Sequence, residues 1–169
     1  MTMKREAIPL ALVRELLDYD PETGLFRWRK SPAHGVKPGD VAGYDNGQGY
    51  RKITIKGRHF RAHHLAWAMM HGGYPDGVVD HINGIRDDNR IVNLRLATRS
   101  QNSQNRRCHR NNRAGLKGVS WRARERRWHA HIRVDGKLLH LGYFATREEA
   151  HAAYAAAARE YFGEFARAA

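Results

Sequence analysis

Residues 78–105 constrain the fold of this chain more than any other segment. The run Val78-Val79-Asp80-His81 is followed by Asn83-Gly84, a strong signal for chain reversal. This order predicts a short strand that ends in a hairpin-like loop. In residues 93–96, Leu94 and Leu96 alternate with polar neighbours, as in a second half-buried strand. The segment is therefore predicted to form a two-stranded hairpin.

The hairpin is expected to continue into a helix, since residues 98–101 have the spacing of a capping box and place Asn102 in the first turn. Strand, loop, strand and helix would gather the side chains of Asp80, His81, Asn93 and Asn102 near a helix start, whose N–H groups favour phosphate. Neighbours on a regular strand point to opposite faces, so Asp80 and His81 share a cleft only if the chain bends between them. The residue types suit phosphodiester hydrolysis.

Each side chain has a place in that chemistry. Hydrolysis of a phosphodiester needs a base with a pKa near neutrality and a hard cation that balances charge on the phosphate and the leaving oxygen. His81 is the candidate base. Asp80 and Asn102 offer oxygen ligands to Mg²⁺ or another divalent ion such as Mn²⁺, which needs few protein ligands because it keeps several waters. Asn93 is expected to brace the loop through hydrogen bonds.

At these positions the chain resembles the HNH endonucleases, in particular their phage-type homing branch. The flanking residues agree as well: Arg61-Ala62-His63, Leu65, Trp67, Pro75, Asp88-Asn89 and Asn93-Leu94-Arg95. The resemblance covers roughly the first two thirds of the chain. It implies a ββα-metal fold, with His81 as general base, Asp80 and Asn102 as metal ligands and Asn93 as an orienting residue. The third motif position holds Asn in place of His, and we interpret it as a variant ligand.

Composition indicates the partner and the compartment. The formal net charge is +13, and such a surplus repels itself unless a polyanion, most simply double-stranded DNA, neutralises it. The single cysteine, Cys108, excludes an internal disulfide and a multi-cysteine zinc cluster and suits a reducing compartment. Apolar runs of membrane-spanning length and the apolar core of a secretory signal are missing. We expect a cytoplasmic protein that does not bind membranes and acts as a monomer on DNA.

The residues before the hairpin predict supporting elements. These are a helix over 9–18, a turn over 20–24, a strand over 25–28, an irregular connection over 30–49, a hairpin over 50–62 closed at Lys56-Gly57, and an apolar helix over 63–70. His63 and His64 are interpreted as packed structural residues rather than ligands, because that is the more frequent state of such histidines. The first domain is predicted to be an α+β fold.

Residues 99–113 are basic, rich in Asn and Gln, and nearly free of apolar side chains. A segment of this composition cannot bury a core, so it fits a helix end and a linker that lies along a phosphate backbone. A merely soluble spacer is the alternative, but such spacers usually mix charges of both signs. The predicted phosphate contacts are Arg99, Arg106, Arg107, Arg110 and Arg113. We place the domain boundary at residue 112, with domains over 1–112 and 113–169.

The last third of the chain predicts a three-stranded antiparallel sheet packed on one helix. The strands are 118–121, 128–134 and 137–144, with Asp135-Gly136 as the second turn, and Thr146 to Glu149 form a capping box. In the second strand Trp128, Ala130, Ile132 and Val134 share one face, and histidines and Arg133 share the other. One face is expected to pack on the helix, and the other, together with Lys117, is expected to enter a major groove.

This part resembles the APETALA2-type DNA-binding domain in Gly118-Val119-Ser120-Trp121, Trp128-His129-Ala130, Leu141-Gly142-Tyr143-Phe144 and the Ala-rich helix. That family reads DNA with the exposed face of its sheet. The resemblance therefore implies DNA contacts by Ser120, Arg122, Arg124, His131, Arg133 and His140. Trp121 and Trp128 are expected in the core, because aromatic residues of a small sheet usually pack against its helix.

Together these features predict a two-domain, metal-dependent DNA endonuclease of HNH type, which cuts one strand per active site and is targeted by its C-terminal sheet. Two alternatives stay open from the sequence. One is a DNA-binding regulator whose nuclease domain is catalytically inactive. The other is an RNA-binding structural protein, which fits the charge but gives the Asp, His and two Asn side chains no role.

Overall fold

The structure, a computed structural model, describes residues 8–106, 108 and 111–167. The chain forms two compact units, Met1–Thr98 and Arg99–Ala169, called here the first unit and the second unit. Composition places a boundary later, at residue 112, where the basic segment ends. The assignment of separate functions to 1–112 and 113–169 stays a prediction.

The first unit begins with helix α1 (Leu10–Leu16), followed by a hairpin of β1 (Leu17–Tyr19) and β2 (Phe26–Trp28). The helix predicted over 9–18 ends at Leu16, because the next residues pair with β2 instead of continuing the helix. Leu17 is fully buried opposite Trp28 in this pairing. The helical spacing of the leucines does not indicate where α1 ends, because pairing of β1 with β2 determines that position.

A three-stranded sheet and a helix follow. The sheet has the order β3 (Tyr44–Asp45), β4 (Arg51–Ile55), β5 (Arg58–Arg61), and helix α2 (Ala62–His71) starts directly after β5. The predicted hairpin at Lys56-Gly57 is confirmed, and both residues have the positive φ that a tight primed turn requires. The connection over 30–49, predicted to be irregular, contributes β3.

The hairpin at the centre of the sequence consists of β6 (Val78–His81) and β7 (Leu94–Ala97), paired antiparallel, with a 3₁₀ turn over Ile91–Asn93. Val79 and Leu94 join the core of the first unit, whereas Leu96 is exposed. Helix α3 (Arg99–Gln104) follows and is the first element of the second unit. The order strand, strand, helix is therefore as predicted.

The second unit contains strands β8 (Val119–Arg122), β9 (Arg127–Val134) and β10 (Lys137–Phe144), with β9 central, and helix α4 (Arg147–Phe162) packed on the sheet. The predicted capping box is confirmed. Thr146 Oγ1 accepts from the Glu149 N–H, and the Glu149 carboxylate accepts from the Thr146 N–H, each at 3.2 Å. The core side of the sheet carries Ala130 and Ile132 as predicted.

Two details of this sheet differ from expectation. Trp121, expected in the core, is 50% exposed, because it lies in the edge strand β8 and rests edge-on against the half-buried Trp128 with ring centroids 5.2 Å apart. The β9 and β10 register shifts between His140 and Gly142, which leaves Leu141 as an extra residue. Beyond this bulge Tyr143 lies opposite His129.

Candidate active site

Asp80 and His81 are the last two residues of β6, and each is only 5% exposed. Strand pairing continues through both, with Asp80 opposite Arg95 and His81 opposite Leu94. Their side chains therefore have different neighbours: Asp80 contacts Arg95, while His81 contacts residues of α2 and of the loop that follows β6.

Asp80 forms a shielded ion pair across the hairpin. Arg95 Nε donates to Asp80 Oδ2 at 3.1 Å, and Arg95 Nη2 lies 3.1 Å from the same oxygen. Both side chains are nearly buried. Arg95 was not among the predicted site residues. The hairpin register could have indicated Arg95, because residues directly opposite each other on antiparallel strands interact.

The His81 imidazole is held by Asn89, which is 1% exposed. His81 Nε2 lies 3.3 Å from Asn89 Oδ1, and Asn89 Nδ2 donates to the Asp87 carbonyl at 3.1 Å. A carbonyl only accepts hydrogen bonds, so the amide nitrogen must face Asp87 and the amide oxygen must face His81. Nε2 then carries the proton of the neutral ring, and Nδ1 is the atom that can accept one.

Asn89 is in turn fixed by the N-terminal hairpin. Tyr19 Oη, in β1, donates to the Asn89 carbonyl at 2.7 Å across 70 positions of sequence. Burial raises the pKa of the Tyr19 phenol, so this group stays protonated and remains a donor. Neither Asn89 nor Tyr19 was predicted to hold the site, since neither contact has a local signal.

The His81 ring lies close to two other rings, those of His63 and Tyr50. The rings of His63 and His81 lie nearly perpendicular with centroids 4.8 Å apart, and Tyr50 lies 5.5 Å from His63 and 6.1 Å from His81. Burial, together with the neighbouring imidazoles of His64 and His81 and the Arg61 guanidinium, lowers the pKa of His63 to about 2. Burial also lowers the pKa of His81, against the opposing effects of the Asn89 hydrogen bond and Asp80. Both rings are neutral at pH 7.

Asn93 is buried and connects two parts of the loop after β6. Its Oδ1 accepts from the Asn83 N–H at 3.0 Å, and its Nδ2 donates to the Asp88 carbonyl at 2.8 Å. Asn102 is half-buried in α3 and belongs to the second unit. Within the described residues, groups of three or more His, Cys, Asp or Glu side chains arranged around a metal ion are missing. The donors expected from the sequence are one carboxylate and one carboxamide, a hard oxygen set that suits Mg²⁺.

Apart from Lys117, the residues expected to contact DNA fall into three groups. Arg99, Arg106, Arg113, Arg122, Arg124, Arg133 and His140 are exposed. Ser120 and His131 are half-buried, and each has a buried polar atom that makes no hydrogen bond to any described residue. Arg107 and Arg110 lie outside the described residues.

Lys117, expected to contact DNA, makes structural hydrogen bonds within the second unit. Its ammonium donates to the carbonyls of Gln104, Arg106 and Arg167, at 3.0 Å and 3.2 Å for the last two. Burial lowers its pKa. Because three carbonyls take up its donors, Lys117 ties together distant segments of the second unit.

The open face of the C-terminal sheet carries a stack of imidazoles. His129 stacks on His131 and on His140, with centroids 5.1 Å and 4.7 Å apart, and His129 Nε2 lies 2.6 Å from His140 Nδ1. Arg122 Nη2 lies 3.3 Å from His129 Nδ1. An arginine only donates, so Nδ1 of His129 accepts and its Nε2 donates to His140. His129 was not among the predicted DNA contacts, and it is the buried centre of the stack.

Comparison with known proteins finds a family match over this part of the chain. Residues 60–104, from the end of β5 to the end of α3, match the family described as HNH endonuclease. Protein 3.8 of Escherichia phage T7 is 36% identical over 78 residues, a segment that covers 46% of this chain and 64% of the phage protein. The chain thus matches less than two thirds of the length of that relative.

Each helix of the described residues is too short or too polar to cross a bilayer.

Proposed function

We propose that this protein is a metal-dependent DNA endonuclease of HNH type. The observation that carries the proposal is the buried His81, held by Asn89 with Nδ1 as its accepting atom, inside the segment that matches the HNH endonuclease family. A neutral imidazole of fixed orientation is the requirement for a general base at neutral pH. The net charge of +13 favours double-stranded DNA as substrate.

In the proposed mechanism His81 Nδ1 takes a proton from the attacking water, and the resulting hydroxide bonds to the phosphorus as the bond between phosphorus and the 3′ oxygen breaks. The 3′ oxygen leaves and takes up a proton from solvent. Asn93 keeps the loop after β6 in position, so that the base stays oriented. Asp80 and Asn102 are the proposed ligands of Mg²⁺ or Mn²⁺. When bound, such an ion supplies charge stabilisation to the phosphate and to the departing 3′ oxygen.

A second function is favoured by one observation, the ion pair of Asp80 with Arg95. An arginine that neutralises the proposed ligand competes with a metal ion, and this would suit a regulator that binds DNA without cutting it. We prefer the nuclease, because the Asn89 contact orients a base and a binding protein has no use for that arrangement.

The C-terminal sheet is proposed to position the nuclease on DNA. The open face of β9 and its neighbours carries Arg122, Arg133 and the imidazole stack, and helix α4 covers the other face. A small sheet with arginines at its rim can enter a major groove, where guanidinium groups read guanine. One protein molecule is proposed to cut one strand at each site.

The direct test is incubation of the full-length protein with supercoiled plasmid, with Mg²⁺ or with chelator. Nicking is expected only with Mg²⁺. The variant His81→Ala should cut 10²- to 10⁴-fold more slowly, about the value of a general base, while its affinity for duplex DNA in chelator stays unchanged. His34→Ala, which changes an exposed loop histidine, is the control. Equal nicking by His81→Ala and the control would remove His81 from the mechanism.

A further inference from the structure

We propose that Arg61 and Arg86, held over the ring of Tyr50, form a binding site for a phosphate of the DNA backbone beside His81. These three residues are called here the Tyr50 clamp. The inference rests on the proposed nuclease function for the identity of the ligand. It adds DNA contacts in the first unit, whereas the contacts expected from the sequence begin at Arg99.

The Tyr50 clamp brings together residues from distant parts of the chain. Arg61 ends β5 and precedes α2, and Arg86 lies in the loop after β6. Their Cζ atoms lie 4.8 Å and 4.9 Å from the centre of the Tyr50 ring. The same ring is 6.1 Å from His81. A phosphate bound by these guanidinium groups would therefore lie next to the proposed base.

The charges around the site are distributed unevenly. Arg51, Arg90 and Arg95 are each neutralised by a carboxylate, those of Asp87, Asp88 and Asp80 respectively. By contrast, neither Arg61 nor Arg86 forms an ion pair with any of the described residues, and both are exposed. Two cations gathered at one ring repel each other, and an anion bound between them relieves that repulsion. The missing counter-charge is what a phosphate would supply.

The clamp is also preorganised. Arg86 Nη1 donates to the Gln48 carbonyl at 2.9 Å, and the neighbouring Asp87 accepts from Arg51 Nε and Nη2 at 3.1 Å and 3.0 Å. These contacts fix the loop after β6 against residues on both sides of Tyr50, Gln48 before it and Arg51 in β4 after it. Because the Arg86 side chain is already ordered, less side-chain freedom is lost when a ligand binds. Guanidinium groups match phosphate oxygens through paired N–H donors.

The test is binding of the full-length protein to a short DNA duplex in chelator, measured as a function of salt concentration. The variants are Arg61→Gln, Arg86→Gln and the double variant. Arg29→Gln is the control, because it removes the same charge from an exposed arginine of the first unit that is already paired with Asp18. Each clamp variant should weaken binding roughly tenfold and reduce the slope of log K against log salt by about 0.9. The control should leave the slope unchanged.

Thermal unfolding of each variant checks that the fold is intact. An unchanged slope in the double variant, or an equal loss in Arg29→Gln, would overturn the clamp. Plasmid nicking separates this result from the proposed function, because it is measured with Mg²⁺ on the unmodified protein. A protein that nicks plasmid but keeps its salt slope in the double variant is a nuclease without the clamp. Conversely, a reduced slope in a protein that never nicks supports the phosphate site and refutes the nuclease.

Discussion

Arg95 Nε lies 3.1 Å from Asp80 Oδ2 across the β6 and β7 ladder, so the proposed magnesium ligand already has a cationic neighbour. Both side chains are nearly buried, where attraction between opposite charges is strong and the cost of exposing one charge alone is high. An ion and a guanidinium therefore compete for one carboxylate. The competition makes Asp80 testable without any measurement of cleavage.

Replacing Arg95 with Gln removes one counter-charge from Asp80 and should lower the free energy of unfolding by roughly 3 kcal/mol in chelator. Mg²⁺ should then restore more stability to Arg95→Gln than it adds to the unmodified protein, because a bound ligand stabilises the folded state in proportion to its affinity. Urea unfolding followed by tryptophan fluorescence, with and without Mg²⁺, measures both effects. Asp80→Asn is the matched variant without the ligand charge and should lose the response to Mg²⁺. Equal Mg²⁺ effects in all three proteins would contradict Asp80 as a ligand.

The contact between Asn89 and His81 predicts which ring nitrogen carries the proton. In ¹⁵N-labelled protein near pH 7, His81 should be the neutral tautomer with the proton on Nε2, because Asn89 Oδ1 can only accept. Asn89→Ala should mix the two tautomers and slow plasmid nicking roughly ten- to hundredfold, the usual effect of losing a partner that orients a site histidine.

Asn89→Asp is the control for this prediction. A carboxylate keeps the acceptor that faces His81, so the Nε2 tautomer should persist even though the donor to Asp87 is lost. A spectrum of the unmodified protein with the proton on Nδ1 would show that Asn89 does not orient the base.

Stability of the loop after β6 should depend on pH through Asp88. The hydrogen bond from Arg90 is the main cause that lowers the pKa of Asp88 from 3.8 to about 2; burial opposes it, and the hydrogen bond from Asn83 adds to the lowering. A carboxyl group whose pKa is depressed in the folded state stabilises it above the unfolded pKa of about 4, and this contribution disappears as the pH falls towards 2. The Arg90 side chain is 47% exposed, so solvent screening limits the gain to about 1 kcal/mol.

Asp88→Asn should therefore be less stable than the unmodified protein at pH 7 in urea unfolding, and the difference should shrink below about pH 4. Asp18→Asn, which breaks the exposed pair with Arg29, should show little difference at either pH. A difference for Asp88→Asn that stays constant from pH 7 to pH 3 would rule out its ionisation as the cause.

The parts of the fold with local signals were predictable from the sequence. The turns at Lys56-Gly57 and Asp135-Gly136 and the cap at Thr146 lie where expected, because each depends on a few adjacent residues with special backbone or hydrogen-bonding properties. The end of α1 at Leu16 was not predictable in this way. It depends on pairing of β1 with β2, a contact between segments that local spacing does not encode.

The same distinction between local and long-range contacts applies to the candidate site. Asp80, His81 and Asn93 stand out as residue types suited to the chemistry at close spacing. The residues that hold them do not, because Asn89 orients His81 through a buried amide and Tyr19 reaches Asn89 from 70 positions away. The structural contacts of Lys117 were missed for a related reason. Its charge suggested DNA, but three carbonyls brought together by folding surround its ammonium.

The last prediction concerns the C-terminal sheet and compares two cations at the same end of it. Arg133 lies on the open face of β9, whereas Lys137, opposite Val134 in the ladder, lies on the face that packs on α4. Removing either side chain removes one charge. If the open face reads base edges, Arg133→Ala should change the distribution of nick positions and weaken binding at preferred sites by roughly 1 to 3 kcal/mol, the value of one good base contact. Lys137→Ala should leave the distribution unchanged.

Sequencing of nicked plasmid measures the distribution, and filter binding at one salt concentration measures affinity. Folding should depend on the other face, so Ile132→Ala, which empties a fully packed position, should cost about 2 to 5 kcal/mol of unfolding free energy, while Arg133→Ala costs little. Neither charge variant replaces a histidine of the imidazole stack. His129 and His131 stack on each other, so removing either ring would disturb packing. Identical nick positions for Arg133→Ala and the unmodified protein would assign site preference to the first unit. Residues of the Tyr50 clamp and of the loop after β6 would then be the next to replace.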